Sequence, residues 1–172
     1  QKIKGKKSIV MEKRNLENLP LTTIQTKQEI NKMQNINIKT NLISLYIVQG
    51  IEKLMKEFNV SEDADFYKVV RINSLDDEVL SYSTSFFDRK IVPFLNEEIA
   101  KNSIYEYLEN DLNLKIAYSR RDIKFRKITP EEQEYFKLKG INMVVVIETH
   151  AYLSNGALFQ YESIVHHPEK FT

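Results

Sequence analysis

The chain has no cysteine, which removes disulfides, thiolate metal sites and thiol catalysis. That absence fits a reducing cytoplasm. It has three histidines, His150, His166 and His167, and no HExxH-type spacing around them. A metal site needs three or four converging ligands, so no metal and no cofactor is expected. Four glycines, Gly5, Gly50, Gly140 and Gly156, stand too far apart for a phosphate loop of the P-loop or dinucleotide type. No G-x-S-x-G elbow is present. No apolar run approaches the roughly 18 residues of a membrane span, and Gln1-Lys2-Ile3-Lys4 leads into no signal-peptide core. Net charge is close to nil. The 25 basic and 24 acidic residues give +1, so bulk charge does not make this chain a nucleic-acid binder.

What is present suits one ordinary domain. The 172 residues are 42% hydrophobic and 28% charged, enough to bury a single core. Ile3 to Met11 reads as the second half of a small β-hairpin, with Lys4, Lys6 and Lys7 around Gly5. That shape suits a wing lying against phosphates and points to the C-terminal part of a longer protein. Residues 12–25 read as a linker. Thr26-Lys27-Gln28-Glu29 is a capping box that starts a helix. Strands are predicted over 41–48, 66–72, 79–87, 117–128, 143–152 and 158–165, with turns at Asp76-Asp77 and Asn155-Gly156. Helices are predicted where Ile51, Leu54, Met55 and Phe58 keep helical spacing, after the cap at Ser103, and from Thr129-Pro130 to a stop at Gly140. Hairpins with interspersed helices give an α+β class with a mainly antiparallel sheet.

Few residues point to catalysis, so no catalytic set is assigned and an enzyme is not expected. The acid pairs Asp76-Asp77, Glu97-Glu98 and Glu131-Glu132 fall in turns or first helical turns and read as solvated structural acids. Binding features are more pointed. Thr26 and Ser103 stand at helix starts, where each hydroxyl either caps its own helix or turns to a ligand. In the strand at 117–127, Arg121 shares its parity with Ile123 and Phe125, and that face is expected to be the core face. An inward arginine finds an anion, an internal partner or the solvent at the strand end. Arg71, closing Tyr67-Lys68-Val69-Val70-Arg71, poses the same choice. A guanidinium is well shaped to hold phosphate in a bidentate fork.

Several segments, in this order, resemble a known family: Lys4-Gly5-Lys6-Lys7-Ser8-Ile9-Val10, Val69-Val70-Arg71, Val92-Pro93-Phe94-Leu95, Ser103-Ile104-Tyr105-Glu106-Tyr107-Leu108, Leu138-Lys139-Gly140, Met143 to Ile147, Leu158-Phe159-Gln160-Tyr161 and the tail His166 to Phe171. The first is similar to the wing strand of GntR-type regulators. The rest is similar to the effector-binding (UTRA) domain of their HutC branch, and within it to trehalose operon repressors.

The resemblance implies a chorismate-lyase-like fold, a homodimer formed through residues 26–172, and operator DNA held by a preceding domain of which 1–11 is the remnant. It implies a sugar-phosphate effector, trehalose 6-phosphate foremost. The family's ligand positions fall on Thr26, Arg71, Ser103, Tyr105, Gln160 and His166. Asn73 stands where a second arginine is common, Ser83 where a carboxylate is, Glu148 where an arginine is, and Glu169 where an aspartate is. Arg121 is expected to supply the cation missing at 73. Two other functions compete: a dimerisation module without a ligand, and a lyase-like enzyme by fold analogy alone.

Overall fold

The computed structural model describes residues 37–138 and 140–169. The expectations at Thr26, at the lysines 4, 6 and 7, and for the wing and linker at 1–25 lie outside these residues.

Among the described residues, six strands form one antiparallel sheet: β1 (Lys39–Val48), β2 (Phe66–Leu75), β3 (Glu78–Asp88), β4 (Ile116–Lys127), β5 (Met143–Leu153) and β6 (Leu158–His166). Their order across the sheet is β1-β2-β3-β6-β5-β4, with every neighbour antiparallel. The α+β class expected from the hairpin pattern is therefore the observed one. The β2–β3 hairpin turns at Asp76 and Asp77, both with positive φ (48° and 66°). That geometry matches the twist of the flanking strands, and aspartate tolerates it better than bulkier residues. The β5–β6 turn places Gly156 at φ 83°, and the Asn155 side chain accepts from the Ala157 N–H at 3.0 Å.

Among the described residues, four short helices cover the two faces: α1 (Glu52–Phe58), α2 (Glu97–Lys101), α3 (Ile104–Asn110) and α4 (Pro130–Phe136). Helices this short are marginal alone and are held by what they bury. On one face, Ala100 of α2 and Ile104 and Leu108 of α3 pack on Tyr67, Val69, Phe87 and Ala151. On the other face, Phe136 of α4 packs on Val70, Ile72, Tyr82, Val146 and Val165, while Leu54 of α1 packs on Phe66 and Tyr161. Alternation along the strands sends odd residues of β2 and β3 to α3 and even ones to α1 and α4. Polar bonds also fasten α1. Lys53 donates to Glu148 at 2.8 Å and Glu57 meets His150 Nε2 at 2.7 Å. Glu148 is also held by Lys124 at 2.5 Å. Burial raises the Glu148 pKa, but the two lysines outweigh it and bring it down to about 2.

The structure corrects several expectations. Ile123 and Phe125 do share a face with Arg121, yet they do not reach a core. They are 47% and 72% exposed, because β4 is an edge strand that α3 does not cover. The last helix stops at Phe136, four residues before Gly140, with Lys137 in the left-handed conformation (φ 52°). β2 runs on to Leu75, so Arg71 lies inside it rather than at its end. Glu97 and Glu98 are exposed acids of a first helical turn, as expected, but the helix that they head, α2, capped by Asn96, was not predicted. Glu132 is not solvated. It is buried, closes the capping box with Thr129, and takes two hydrogen bonds from Arg126 at 2.6 and 2.8 Å.

Candidate functional site

The face that carries α3 also carries the polar residues singled out by the sequence. The registers Arg71↔Ser83, Ser83↔Ile164, Ser85↔Glu162, Glu162↔Thr149 and Thr149↔Arg121 set them in two adjacent rows across the sheet. Residues directly opposite each other in a ladder point the same way. Arg71, Ser83, Ser85, Glu162 and Arg121 therefore share one side, which they also share with Gln160 and His166.

The contacts within this cluster are specific. The Tyr105 hydroxyl, on α3, donates to Gln160 Oε1 at 2.5 Å, and its ring lies 5.9 Å from that of Phe159. Ser85 donates to Glu162 at 2.7 Å. The Arg71 Nη2 stands 3.8 Å from Glu162 Oε1, near enough for charge attraction and too far for a hydrogen bond. Burial pushes the Tyr105 hydroxyl pKa well above the ordinary tyrosine range. Glu162 adds to that push, while Arg121 and Arg71 oppose it. Tyr105 thus lies within the field of both arginines and of Glu162. The phenol stays neutral and serves as a hydrogen-bond donor at any physiological pH.

Two expected residues sit apart from this group. Ser103 is the N-cap of α3, and its Oγ accepts from the Glu106 N–H at 3.2 Å. It borders a shallow groove of about 360 Å³ on the outer side of α2 and α3, whose lining includes Glu98, Glu106 and Asp111. Those acids have the wrong sign for a phosphate. His166 ends β6, opposite Ser81 and Val145. Burial holds its pKa down to about 4, so its ring is neutral at neutral pH and adds no positive charge. Gln160 lies within β6, inside the strand predicted over 158–165.

Glu162 was missed by the sequence reading. The signal was available, since it falls between Gln160 and His166 on the same parity of one strand.

Residues 33–172 match the UTRA domain. The chain belongs to the UTRA domain family. This UTRA chain is 32% identical to the transcriptional regulator TreR of Bacillus subtilis (strain 168) over 171 residues, covering 99% of the chain and 71% of TreR. It is 29% identical to the uncharacterized regulator YydK of the same organism, covering 80% of the chain and 58% of YydK. The solved effector-binding domain of the B. subtilis trehalose repressor superposes with a TM-score of 0.70 at 34% identity, over 78% of this chain and 93% of that one. The YydK structure gives 0.77 at 27% identity, over 88% and 65%. The chain thus spans less than two thirds of YydK and somewhat more of TreR. Its curated relatives are named as transcriptional regulators, which makes this a regulator domain and not an enzyme. Among the described residues no helix is long and apolar enough to cross a membrane.

Proposed function

We propose that this UTRA domain senses a phosphorylated sugar, with trehalose 6-phosphate the first candidate, and that its occupancy releases operator DNA from a winged helix-turn-helix domain ahead of it. The protein works as a cytoplasmic homodimer, and Lys4, Lys6 and Lys7 add phosphate contacts at the wing without reading bases.

The observation that carries this reading is the pairing of charge with hydroxyls on one sheet face. Two guanidinium groups, Arg71 and Arg121, act on Tyr105 together with the carboxylates Glu162 and Glu109, and Arg71 stays 3.8 Å from Glu162, outside hydrogen-bond range and able to turn to an anion. Tyr105 and Gln160 stand beside them with the donors and acceptors that a sugar requires. Thr26 adds a further hydroxyl, and His166 serves as a neutral hydrogen-bonding ring. Likeness to the trehalose repressor's effector-binding domain supports the choice of sugar.

The test is calorimetry with trehalose 6-phosphate and with trehalose. Arg71→Ala and Arg121→Ala each lower affinity for the phosphorylated sugar by roughly 10- to 100-fold, the range for a hydrogen bond to a charged group. Affinity for the bare sugar changes little. Equal losses for both sugars would remove the phosphate role.

A further inference from the structure

β4 is an edge of the sheet and its longest strand, running 12 residues from Ile116 to Lys127. β5 pairs with it on one side, and among the described residues no strand pairs with it on the other. A long edge in that state offers a row of backbone donors and acceptors to another chain. Unpaired charge ordinarily blunts such an edge. Here two of the cations are already engaged within the chain. Lys124 donates to Glu148 at 2.5 Å, and Arg126 makes two hydrogen bonds to Glu132. On the side that carries the proposed site, the edge is apolar. Ile123, Phe125 and Met143 stand exposed there, on one parity of the β4–β5 ladder. Association that covers such a group takes apolar surface out of water.

The order of side chains along β4 suits a second copy of the same strand. Two such strands, antiparallel about a twofold axis normal to the sheet, keep each residue on its own face, so one residue lies on the axis opposite its own copy. With Asp122 on the axis two carboxylates oppose each other, and with Lys124 two ammonium groups do, which is unfavourable in both cases. With Ile123 on the axis, Ile123 meets Ile123. Asp122 then meets the partner's Lys124, and Arg121 meets the partner's Phe125, each pair occurring twice. Asp122 is placed for that exchange. Its carboxylate is 3.6 Å from Arg120 Nε, outside hydrogen-bond range, and its side chain is 48% exposed. Lys124 shares Glu148 with Lys53, so one carboxylate serves two ammonium groups. A guanidinium beside an aromatic ring adds a cation–π attraction. The like-charged pair in this register, Arg120 opposite the partner's Arg126, is muted because Glu132 neutralises Arg126.

We infer that this chain pairs with a second copy of itself through β4, antiparallel about a twofold axis at Ile123, so that the two sheets become one continuous sheet. The inference gives an interface to the homodimer of the proposed function and rests on that part of the reading, not on the identity of the sugar. It sets both effector faces on the same side of the joined sheet and brings the partner's Phe125 beside the Arg121 of each site.

Because the chain has no cysteine, a single introduced thiol reports on its own surroundings. Residues opposite each other in an antiparallel ladder have Cα atoms about 4.5–5.5 Å apart, within the span of a disulfide. Under mild oxidation Ile123→Cys cross-links to its own copy, read on a non-reducing gel. Phe125→Cys does not, because its copy lies four residues, about 13 Å, along the partner strand. Sedimentation shows the parent as a dimer. Ile123→Lys, which sets two ammonium groups on the axis, weakens that dimer about tenfold or more. Its thermal unfolding stays cooperative, since the position is exposed, and if it fails to fold the two cysteine variants carry the test. A dimer that cross-links at neither cysteine, or at both alike, overturns the β4 interface and leaves the homodimer standing. So does a folded Ile123→Lys whose dimer is as strong as the parent's. A monomeric parent overturns interface and homodimer together, and binding of trehalose 6-phosphate by that monomer in calorimetry would leave the sensor reading intact.

Discussion

The His166 imidazole helps to set how far acid is tolerated. Burial depresses the His166 pKa to about 4, below its ordinary 6.5. A group whose folded pKa is depressed resists protonation in the native state, so the unfolded chain binds the proton first. The stability it confers is full above pH 6.5 and drains away as pH falls through the window to about 4. The slope is at most about 1.4 kcal/mol per pH unit, and the total is at most about 3 kcal/mol. Urea denaturation between pH 7 and 4 should show that loss, and His166→Gln should flatten it. An unchanged slope in the variant would mean that other groups drive acid unfolding in this range. The same neutral ring explains why His166 suits a hydrogen bond to a hydroxyl better than a contact to phosphate. The residue identities were legible through the family resemblance, and the alternation of β6 sets Gln160 and His166 on one side. The charge state of His166 was not, because it depends on burial by strands β3 and β5, far off in sequence.

Helix α4 shows how local signals and long-range packing divide the work. Thr129-Pro130-Glu131-Glu132 announces a helix start, and the capping box forms as the pattern implies. The sequence does not announce that Glu132 also receives the Arg126 guanidinium through two hydrogen bonds, with its side chain 7% exposed. The two caps should therefore differ in weight. Thr129→Ala removes one acceptor from a helix end and should cost about 1 kcal/mol. Glu132→Ala also strands a half-buried guanidinium and should cost about 3 kcal/mol or more, both read by denaturant midpoint. Similar losses would show that the Arg126 pair adds nothing beyond the cap. Strand β4 is the opposite case. Its alternation assigned Arg121, Ile123 and Phe125 to one side correctly, but the side was misread as core. Parity tells which residues share a face; only the strand's place in the sheet tells whether anything covers it. Here β4 is an edge, and edge position follows from the order β3-β6-β5-β4, which no local pattern contains. Helix α2 escaped notice because five residues are too few to show a period.

At the level of the molecule, the sheet has one side that carries the proposed site and one that is fastened by ion pairs. Lys53, Glu148 and Lys124, with Glu57 and His150, tie α1 and the β4 edge to the outer face. The opposite face keeps its charges in looser contact, with Arg71 3.8 Å from Glu162. A bound phosphate would draw Arg71 from Glu162, and α3 would sense the change through the Tyr105 bond to Gln160. Under the proposed function, this local exchange must bias two arrangements of the DNA-reading domains, and a coupling of about 1–3 kcal/mol is enough. In the full-length regulator, saturating trehalose 6-phosphate should therefore weaken operator binding by roughly 5- to 150-fold. Linkage makes the effect reciprocal, so operator DNA must weaken trehalose 6-phosphate binding by the same factor. Fluorescence anisotropy of labelled operator measures the first and calorimetry on the protein–DNA complex the second. Arg71→Ala should leave operator affinity without effector unchanged while removing the response at the same effector concentration. A variant that still released DNA at that concentration would place the sensing step somewhere other than the arginine row.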